Sequence, residues 1–343
     1  MIQQPPFTIT VKSVDYLAKI VETITRLEFG TNFKRDIKLH RENRVRTIHS
    51  SLAIEGNALS LGEVTAVIDG KIVAGKQEEI KEVKNAYQAY DEIMAFDPYA
   101  VTDFLKAHRL MTEGLVKESG KFRSGDVGVF DGDVVVHIGA RPQFVPYLIE
   151  ELFVWASNTD LHPVLKSAIV HCEIETIHPF ADGNGRMGRL WQTLILANWN
   201  EVFAWIPMES LVYEKKPQYY KTLQDAQKNN DSGQFIEFIL SVILEVLTTQ
   251  AKEQTGRQSG HASETSEFVE KYVVKFVEND TQKAIIRLMI EQPKISAKTI
   301  SEKVGISSRG VQKSIDILKK RGLVERIGAA KGGHWVVKIP EHT

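Results

Sequence analysis

Cysteine is almost absent from this chain: of 343 residues, only Cys172 carries a thiol. One thiol cannot close an internal disulfide, so the fold must rest on its core, and a reducing cytoplasm is the expected setting. The opening stretch "MIQQPPFTIT" lacks the basic-then-apolar order of a secretory signal. No uninterrupted apolar run reaches the roughly 18 residues of a membrane span, which leads us to expect a soluble chain. Net charge is also slight, at −1, and by itself names no partner. What is present is ordinary for a globular protein of two or three packed units: 43% hydrophobic and 25% charged residues.

The distribution of charge says more than its sum. From Lys294 to Lys338 there are eleven Lys or Arg against Glu302, Asp316 and Glu325, so this segment carries +8 and the remainder −9. Two parts with different electrostatic tasks are implied. Ahead of the basic part, "TGRQSGHASETSE" (Thr255 to Glu267) is polar and rich in Gly, Ser and Thr, the composition of a linker or exposed turn. Upstream of it the periodicity is helical almost throughout. Pro163 to Ile177 places Leu165, Ala168, Ile169, Cys172 and Thr176 on one face, with Pro163 suited to a first helical position. Gly185 to Asn198 buries Leu190, Trp191, Leu194, Ile195 and Ala197, and "GQFIEFILSVILEVL" suits a central helix. The exception is "VVVHIGARP", Val134 to Pro142, a β-branched run that predicts a short hairpin.

Between two of these helices lies "HPFADGNGR", residues 178 to 186. Pro179 lacks the N–H needed to continue a helix after His178. Gly183, Asn184 and Gly185 tolerate positive φ and leave backbone amides uncovered, the makings of an anion nest. The following helix aims its N-terminal amides and partial positive charge at the same spot. Arg186 and Arg189 are three apart, on one helix face, and can fork onto phosphate oxygens. Asp182 is the only carboxylate in the loop, and beside phosphates its natural role is to hold Mg²⁺. A His-Pro pair alone would mark no more than a helix end, and with no HExxH pattern a zinc site is not expected. The whole set of imidazole, carboxylate, glycines, amide and paired arginines asks for more than helix punctuation.

"HPFADGNGRMGR" resembles the signature of the Fic family, HPFx(D/E)GN(G/K)R with a further Arg three residues on, and matches it at every defined position. "GKFRS" (Gly120 to Ser124) resembles the turn ahead of that family's active site, and "VVVHIGARPQFVPYLIEELFVW" resembles its flap and following helix. "YYKTLQDAQ" (Tyr219 to Gln227) resembles its YYxxLxxAN segment near the adenine, with Gln227 in place of the usual Asn. In "SLAIEG", Ser51 and Glu55 lie four apart on one helix face, Gly56 is a helix stop, and "SLGE" (Ser60 to Glu63) is a capping box. The same stretch resembles the (S/T)xxxE(G/N) inhibitory helix of relatives that carry it on the N-terminal side. Together the resemblance covers about residues 1–247.

That resemblance implies a protein adenylyltransferase using ATP and Mg²⁺. The α- and β-phosphates would lie on Gly183, Asn184, Gly185 and Arg186. Arg189 would hold the γ-phosphate when Glu55 is absent, and Asp182 the metal. His178 would take a proton from a Ser, Thr or Tyr hydroxyl of a target protein or of the chain itself, and an imidazole pKa of about 6.5 suits that task at neutral pH. Val134, Val135, Val136 and His137 would form the flap that aligns an extended target segment, with Tyr219, Tyr220 and Gln227 near the nucleotide. Glu55, with Ser51, would pair with Arg189 and hold the enzyme low.

The basic C-terminal stretch reads helix, Gly-containing turn at Val304 to Ile306, a second helix from about Ser308 to Arg321, then two β-like runs around "AAKGG". This order resembles a winged helix-turn-helix domain, with Ser307, Ser308, Arg309, Gln312 and Lys313 at the start of the recognition helix. Its charge favours DNA phosphates, although many such domains serve protein contacts. The expected architecture is mainly α: residues 1–100 as an N-terminal helical region with the inhibitory helix, 101–250 as a Fic-type helical core with a short β-hairpin flap, 251–267 as a linker and 268–343 as the winged helix. Two other readings stay open: a DNA-binding regulator whose nucleotide site is a sensor, and an enzyme that removes AMP with Glu55 positioning the water. A homodimer is also allowed, and no membrane partner is expected.

Overall fold

The computed structural model describes residues 4–30, 36–131, 134–272, 277, 279–292, 294–327 and 333–337. They fall into two units, residues 1–252 and 253–343. The first begins with α1 (Val11–Gly30), α2 (Ile37–Ile54), α3 (Leu61–Ile68), α4 (Gln77–Asp91) and α5 (Val101–Thr112). A hairpin of β1 (Gly128–Asp131) and β2 (Val134–Ile138) interrupts the helices. There follow α6 (Val145–Asn158), α7 (Pro163–Ile177), α8 (Asn184–Trp199), α9 (Met208–Glu214), α10 (Lys216–Asn229) and the long α11 (Gly233–Tyr272), whose residues after Lys252 count with the second unit. The expected mainly α architecture with one short hairpin is therefore what the chain adopts.

Local signals explain most boundaries. Ser60 and Glu63 form the anticipated capping box at the start of α3, where each satisfies one orphan amide of the other's backbone. Pro163 occupies the first turn of α7, behind His162, whose ring nitrogen accepts from the Val164 amide. One expectation needs correction here. The periodicity gives α7 a single apolar face, yet the helix is enclosed nearly all round by α6, α8 and α10, with Lys166, Ser167 and His171 buried too, while Thr176 is only partly covered. A helix at the centre of a bundle has no solvent face to keep polar, so the stripe is no guide to its burial.

The apolar stretch of α11, Gly233–Glu253, is long and apolar enough by composition to cross a bilayer. This qualifies the expectation that no such run exists, since isolated polar residues break the sequence run without lowering its average. In this fold Phe235, Ile236, Leu240, Ile243 and Leu247 are buried in the helical core. The anticipated linker at Thr255 to Glu267 is likewise not an irregular turn, because its backbone continues α11. Gly256 and Gly260 each cost roughly 1 kcal/mol against alanine, but no proline interrupts the segment and the packed first half supplies the helical nucleus.

The second unit contains α12 (Asp280–Glu291), α13 (Ala297–Val304), α14 (Ser308–Lys320), β3 (Val324–Ile327) and β4 (His334–Val337). Gly305 closes α13 with left-handed backbone, φ 73°, and Ser307 caps α14. β3 and β4 pair antiparallel from Val324 opposite Val337 to Ile327 opposite His334. Ile285, Ile286, Met289, Ile300, Val311, Ile315, Leu318 and Trp335 form a separate core. This is the expected winged helix, with α12 added ahead of the helix pair. Most of "AAKGG" lies outside the described residues.

Candidate active site

Helix α7 stops at His178, which is left-handed at φ 54° and ψ 61°. A non-glycine residue there stores strain of order 1–3 kcal/mol and persists only where its surroundings dictate it. Buried Arg123 supplies much of that constraint. Its Nε donates to the His178 carbonyl at 2.7 Å, Nη1 to Gly125 O at 2.8 Å, and Nη2 to the carbonyls of Ala140 and Ile177. The Arg123 amide also donates to Pro179 O at 3.1 Å. One guanidinium thus ties the end of α7 to the segments on either side of the hairpin. The imidazole itself has Nδ1 3.4 Å from Glu175 O.

The loop after His178 is held from both sides. Asn184 donates from Nδ2 to Phe180 O and accepts from Phe180 N, both at 2.9 Å, so one side chain closes a ring around the loop. Below it, His108 stacks on buried Phe180 with centroids 3.6 Å apart and planes 4° from parallel. The Gly120 amide donates to His108 Nδ1 at 3.0 Å, which leaves Nε2–H to donate to Asp182 O, also at 3.0 Å. Burial drives the His108 pKa down to about 4, so a neutral ring with a fixed tautomer supports the loop.

Gly183, at φ 87°, leads into α8. The first amides of α8, at Asn184, Gly185 and Arg186, have no intrahelical acceptors. Both arginines are buried, and each already holds a carboxylate. Arg186 Nη2 donates to Asp182 Oδ2 at 3.0 Å and Nη1 to Glu82 Oε1 at 3.2 Å. Arg189 Nη2 donates to Glu55 Oε1 at 2.6 Å and Ser51 O at 3.0 Å, while Nε donates to Ser51 Oγ at 3.1 Å. Burial opposes the Arg189 charge, but the facing Glu55, with Glu175 also near, holds its pKa above the ordinary arginine value. Its Nη1 is buried without a hydrogen-bond partner among the described residues. Glu55 also lies over Gly185, where an added Cβ would come 2.4 Å from Glu55 Oε1 and 3.0 Å from Arg189 Nη1.

Asp182 is the one carboxylate on the loop, and its side chain is 61% exposed. Oδ1 accepts from the Gly183 amide at 2.6 Å and Oδ2 from Arg186. No group of three or more metal-ligating side chains occurs among the described residues. A single exposed carboxylate does not make a cage, but it suits Mg²⁺ arriving with phosphate oxygens and waters, since that ion keeps much of its hydration.

The residues expected near the adenine differ in their exposure. Tyr219 is fully buried, its hydroxyl 3.0 Å from His171 Nε2 and donating to Glu175 Oε1 at 3.1 Å. It braces α7 and presents no open surface in this arrangement. Tyr220 is 37% exposed and its hydroxyl reaches Ile54 O at 3.4 Å, beside Glu55. Gln227 is partly buried on α10. Val134, Val135, Val136 and His137 form β2, paired with β1 and near α10, with Phe130 opposite Val135 after a register shift. Sequence reasoning did not single out Glu82, His108 and Arg123. Arg123 lies within the quoted "GKFRS", whereas nothing local marks Glu82 or His108.

A loop bound to a helix N-terminus, two buried arginines and a histidine in left-handed backbone converge in this helical protein, with the Glu55 carboxylate lying against one of the guanidinium groups. Residues 98–196 match the Fic/DOC family model, and residues 278–325 a winged helix-turn-helix DNA-binding model. A crystal structure of a Fic family protein from Desulfovibrio desulfuricans G20 is 36% identical, with a TM-score of 0.70 over 99% of this chain and 100% of that one. The chain belongs to the Fic family. It is 27% identical over 64% of its length to protein adenylyltransferase fic-1 of Caenorhabditis elegans. The protein adenylyltransferase Fic of Nematostella vectensis is 29% identical over 60% of this chain. The chain spans 42% and 48% of the length of these two curated relatives.

Proposed function

We propose that this chain is a protein adenylyltransferase that moves AMP from ATP to Ser, Thr or Tyr hydroxyls of target proteins and of itself, restrained by its own Glu55. The observation that carries the reading is the 2.6 Å contact of Glu55 with Arg189 at the N-terminus of α8, where a triphosphate would otherwise lie. The N-terminal amides of α8, which have no intrahelical acceptors, and the guanidinium of Arg186 would bind and orient phosphate oxygens once Glu55 is displaced. His178 accepts the proton of the target hydroxyl as that oxygen attacks the α-phosphorus. The new O–P bond forms while the bond to the β-phosphate oxygen breaks, and pyrophosphate leaves. Mg²⁺ bound at Asp182 would neutralise triphosphate charge. β2 offers a strand edge along which an extended target segment can be held in register.

The test is incubation of the Glu55→Gly protein with labelled ATP and Mg²⁺, alone and in a lysate. Labelled AMP on this chain or on lysate proteins supports the reading, and no label on either overturns it. Release of AMP from a modified target by the wild-type protein, lost in Glu55→Gly, would instead favour the de-AMPylating alternative.

A second reading concerns the winged helix. Ser307, Ser308, Arg309, Gln312 and Lys313 are all exposed along the first turns of α14, which suits contact with DNA in a basic unit. Its test is a gel shift whose affinity must fall as salt rises and must weaken in Arg309→Ala.

A further inference from the structure

Glu82 lies outside the signature loop and outside the inhibitory motif, yet it joins the two. It sits on α4 with a side chain 24% exposed, facing Arg186, whose side chain is 4% exposed. Oε1 accepts from Arg186 Nη1 at 3.2 Å, and Oε2 accepts from Asn57 Nδ2 at 2.7 Å. Asn57 in turn belongs to the end of the helix that carries Glu55. Its amide donates to Leu52 O at 3.1 Å, its Oδ1 accepts from Leu59 N at 3.1 Å, and its Nδ2 also donates to Glu79 O at 3.2 Å. An unbroken chain of contacts therefore runs from Asp182 through Arg186 and Glu82 to Asn57, two residues past Glu55.

The geometry decides what Glu82 does. Arg186 could turn both terminal nitrogens onto Asp182, because a guanidinium and a carboxylate favour a two-bond fork. That fork would consume the loop's only carboxylate and draw the guanidinium away from the amides of α8. By taking Nη1, Glu82 limits Asp182 to one contact, at Nη2, and fixes the plane of the guanidinium. Arg186 Nε remains buried with no hydrogen-bond partner among the described residues, so the side chain has no other anchor at its neck.

We infer that Glu82 is a positioning residue that sets the Arg186 guanidinium for nucleotide phosphates and, through Asn57, ties that setting to the segment bearing Glu55. The inference rests on the adenylyltransferase reading for its activity readout, but not for its binding readout. It implies that the N-terminal region acts on both arginines of the signature: Arg189 directly through Glu55, Arg186 through Glu82.

The experiment uses the full chain with Glu55→Gly and adds Glu82→Ala, Glu82→Gln or Asn57→Ala. Binding of a non-hydrolysable ATP analogue with Mg²⁺ is measured by calorimetry, and transfer kinetics are measured beside it. Glu82→Ala should weaken analogue binding and raise the KM for ATP by roughly tenfold, the effect of removing one charge-assisted hydrogen bond, with a smaller change in kcat. Glu82→Gln keeps an acceptor for Arg186 and should recover much of that loss, and Asn57→Ala should shift binding in the same direction as Glu82→Ala. If Glu82→Ala fails to fold, Glu82→Gln decides, with weakening of roughly threefold expected. Analogue affinity within twofold of the parent in the folded Glu82 variants overturns the inference. If Glu55→Gly itself transfers no AMP, the functional reading fails, while the binding comparison still decides Glu82.

Discussion

Glu55 Oε1 lies 2.6 Å from Arg189 Nη2 and over Gly185, so close that a methyl group at position 185 would meet the same oxygen at 2.4 Å. One carboxylate thus covers the second arginine of the loop-and-helix motif and the backbone beside it. Removing it should raise AMP transfer, since the competent arrangement of Arg189 no longer competes with an internal ligand. Glu55→Gly is expected to increase self-labelling on the order of tenfold or more, read as an AMP mass shift on the intact chain, a change equivalent to a shift of about 1.4 kcal/mol or more. His178→Ala in that background should abolish it. Glu55→Gly should also lower stability by about 1–3 kcal/mol in denaturant titration, because buried Arg189 loses its charged partner.

The closeness of Glu55 to Gly185 gives a second expectation that does not depend on activity. Gly185→Ala should displace the Glu55 carboxylate, because the new methyl would meet Glu55 Oε1 and crowd Arg189 Nη1, and the strain on this ion pair opposes the roughly 1 kcal/mol that alanine gains over glycine in a helix. In the Glu55→Gly background most of that collision is gone. The two substitutions should therefore be non-additive, with a coupling of about 1–2 kcal/mol in a double-mutant cycle of unfolding free energies. Additivity within about 0.5 kcal/mol would mean that Glu55 does not rest over Gly185 in solution.

Much of this geometry was legible in the sequence, for physical reasons that differ by residue. His178, Gly183 and Arg189 sit within one short loop and the first turns of one helix, where a proline, glycines and a three-residue spacing fix backbone and side-chain direction together. The capping box at Ser60 and Glu63 is just as local. Glu82, His108 and Arg123 act on the loop from 104, 74 and 55 residues away, as their contacts with Arg186, Asp182 and His178 show, and no periodicity encodes such meetings. The burial of Tyr219 was not legible, because a motif names a residue without saying which way its ring points. The helical backbone at Thr255 to Glu267 was not legible because composition reports local preference, whereas a helix already nucleated by packing can run on through weak formers.

Arg123 and His178 form a strained pair whose energetics can be separated from chemistry. Left-handed backbone disfavours alanine more than glycine, so His178→Gly should be more stable than His178→Ala by about 1 kcal/mol, although both lack the base. Arg123→Lys keeps the charge but loses the fork that reaches the carbonyls of His178, Gly125, Ala140 and Ile177. It should cost about 2 kcal/mol of stability. In the Glu55→Gly background it should slow transfer roughly a hundredfold with little change in nucleotide affinity, since the imidazole is misplaced while the phosphate site stays whole. Equal stability of the two His178 variants would show that this backbone is not left-handed in solution.

His108 gives the loop a pH dependence of known sign. Its folded pKa of about 4 lies below the value of about 6.5 expected for the unfolded chain, because burial disfavours the imidazolium. Between those two values the unfolded state binds more protons than the folded one, so stability falls as the pH falls through this window. The full effect is of order 3 kcal/mol, reached near pH 4. Protonation would also put a hydrogen on Nδ1, where the Gly120 amide now donates, and so break the contact that orients the ring under Phe180 and Asp182. His108→Asn keeps an acceptor and a donor but cannot titrate. Denaturant midpoints measured from pH 7 to pH 4.5 should therefore decline more steeply for the wild type than for His108→Asn, whose loop support is weaker at pH 7 but indifferent to acid. Parallel curves would mean that His108 is already solvated and does not hold the loop.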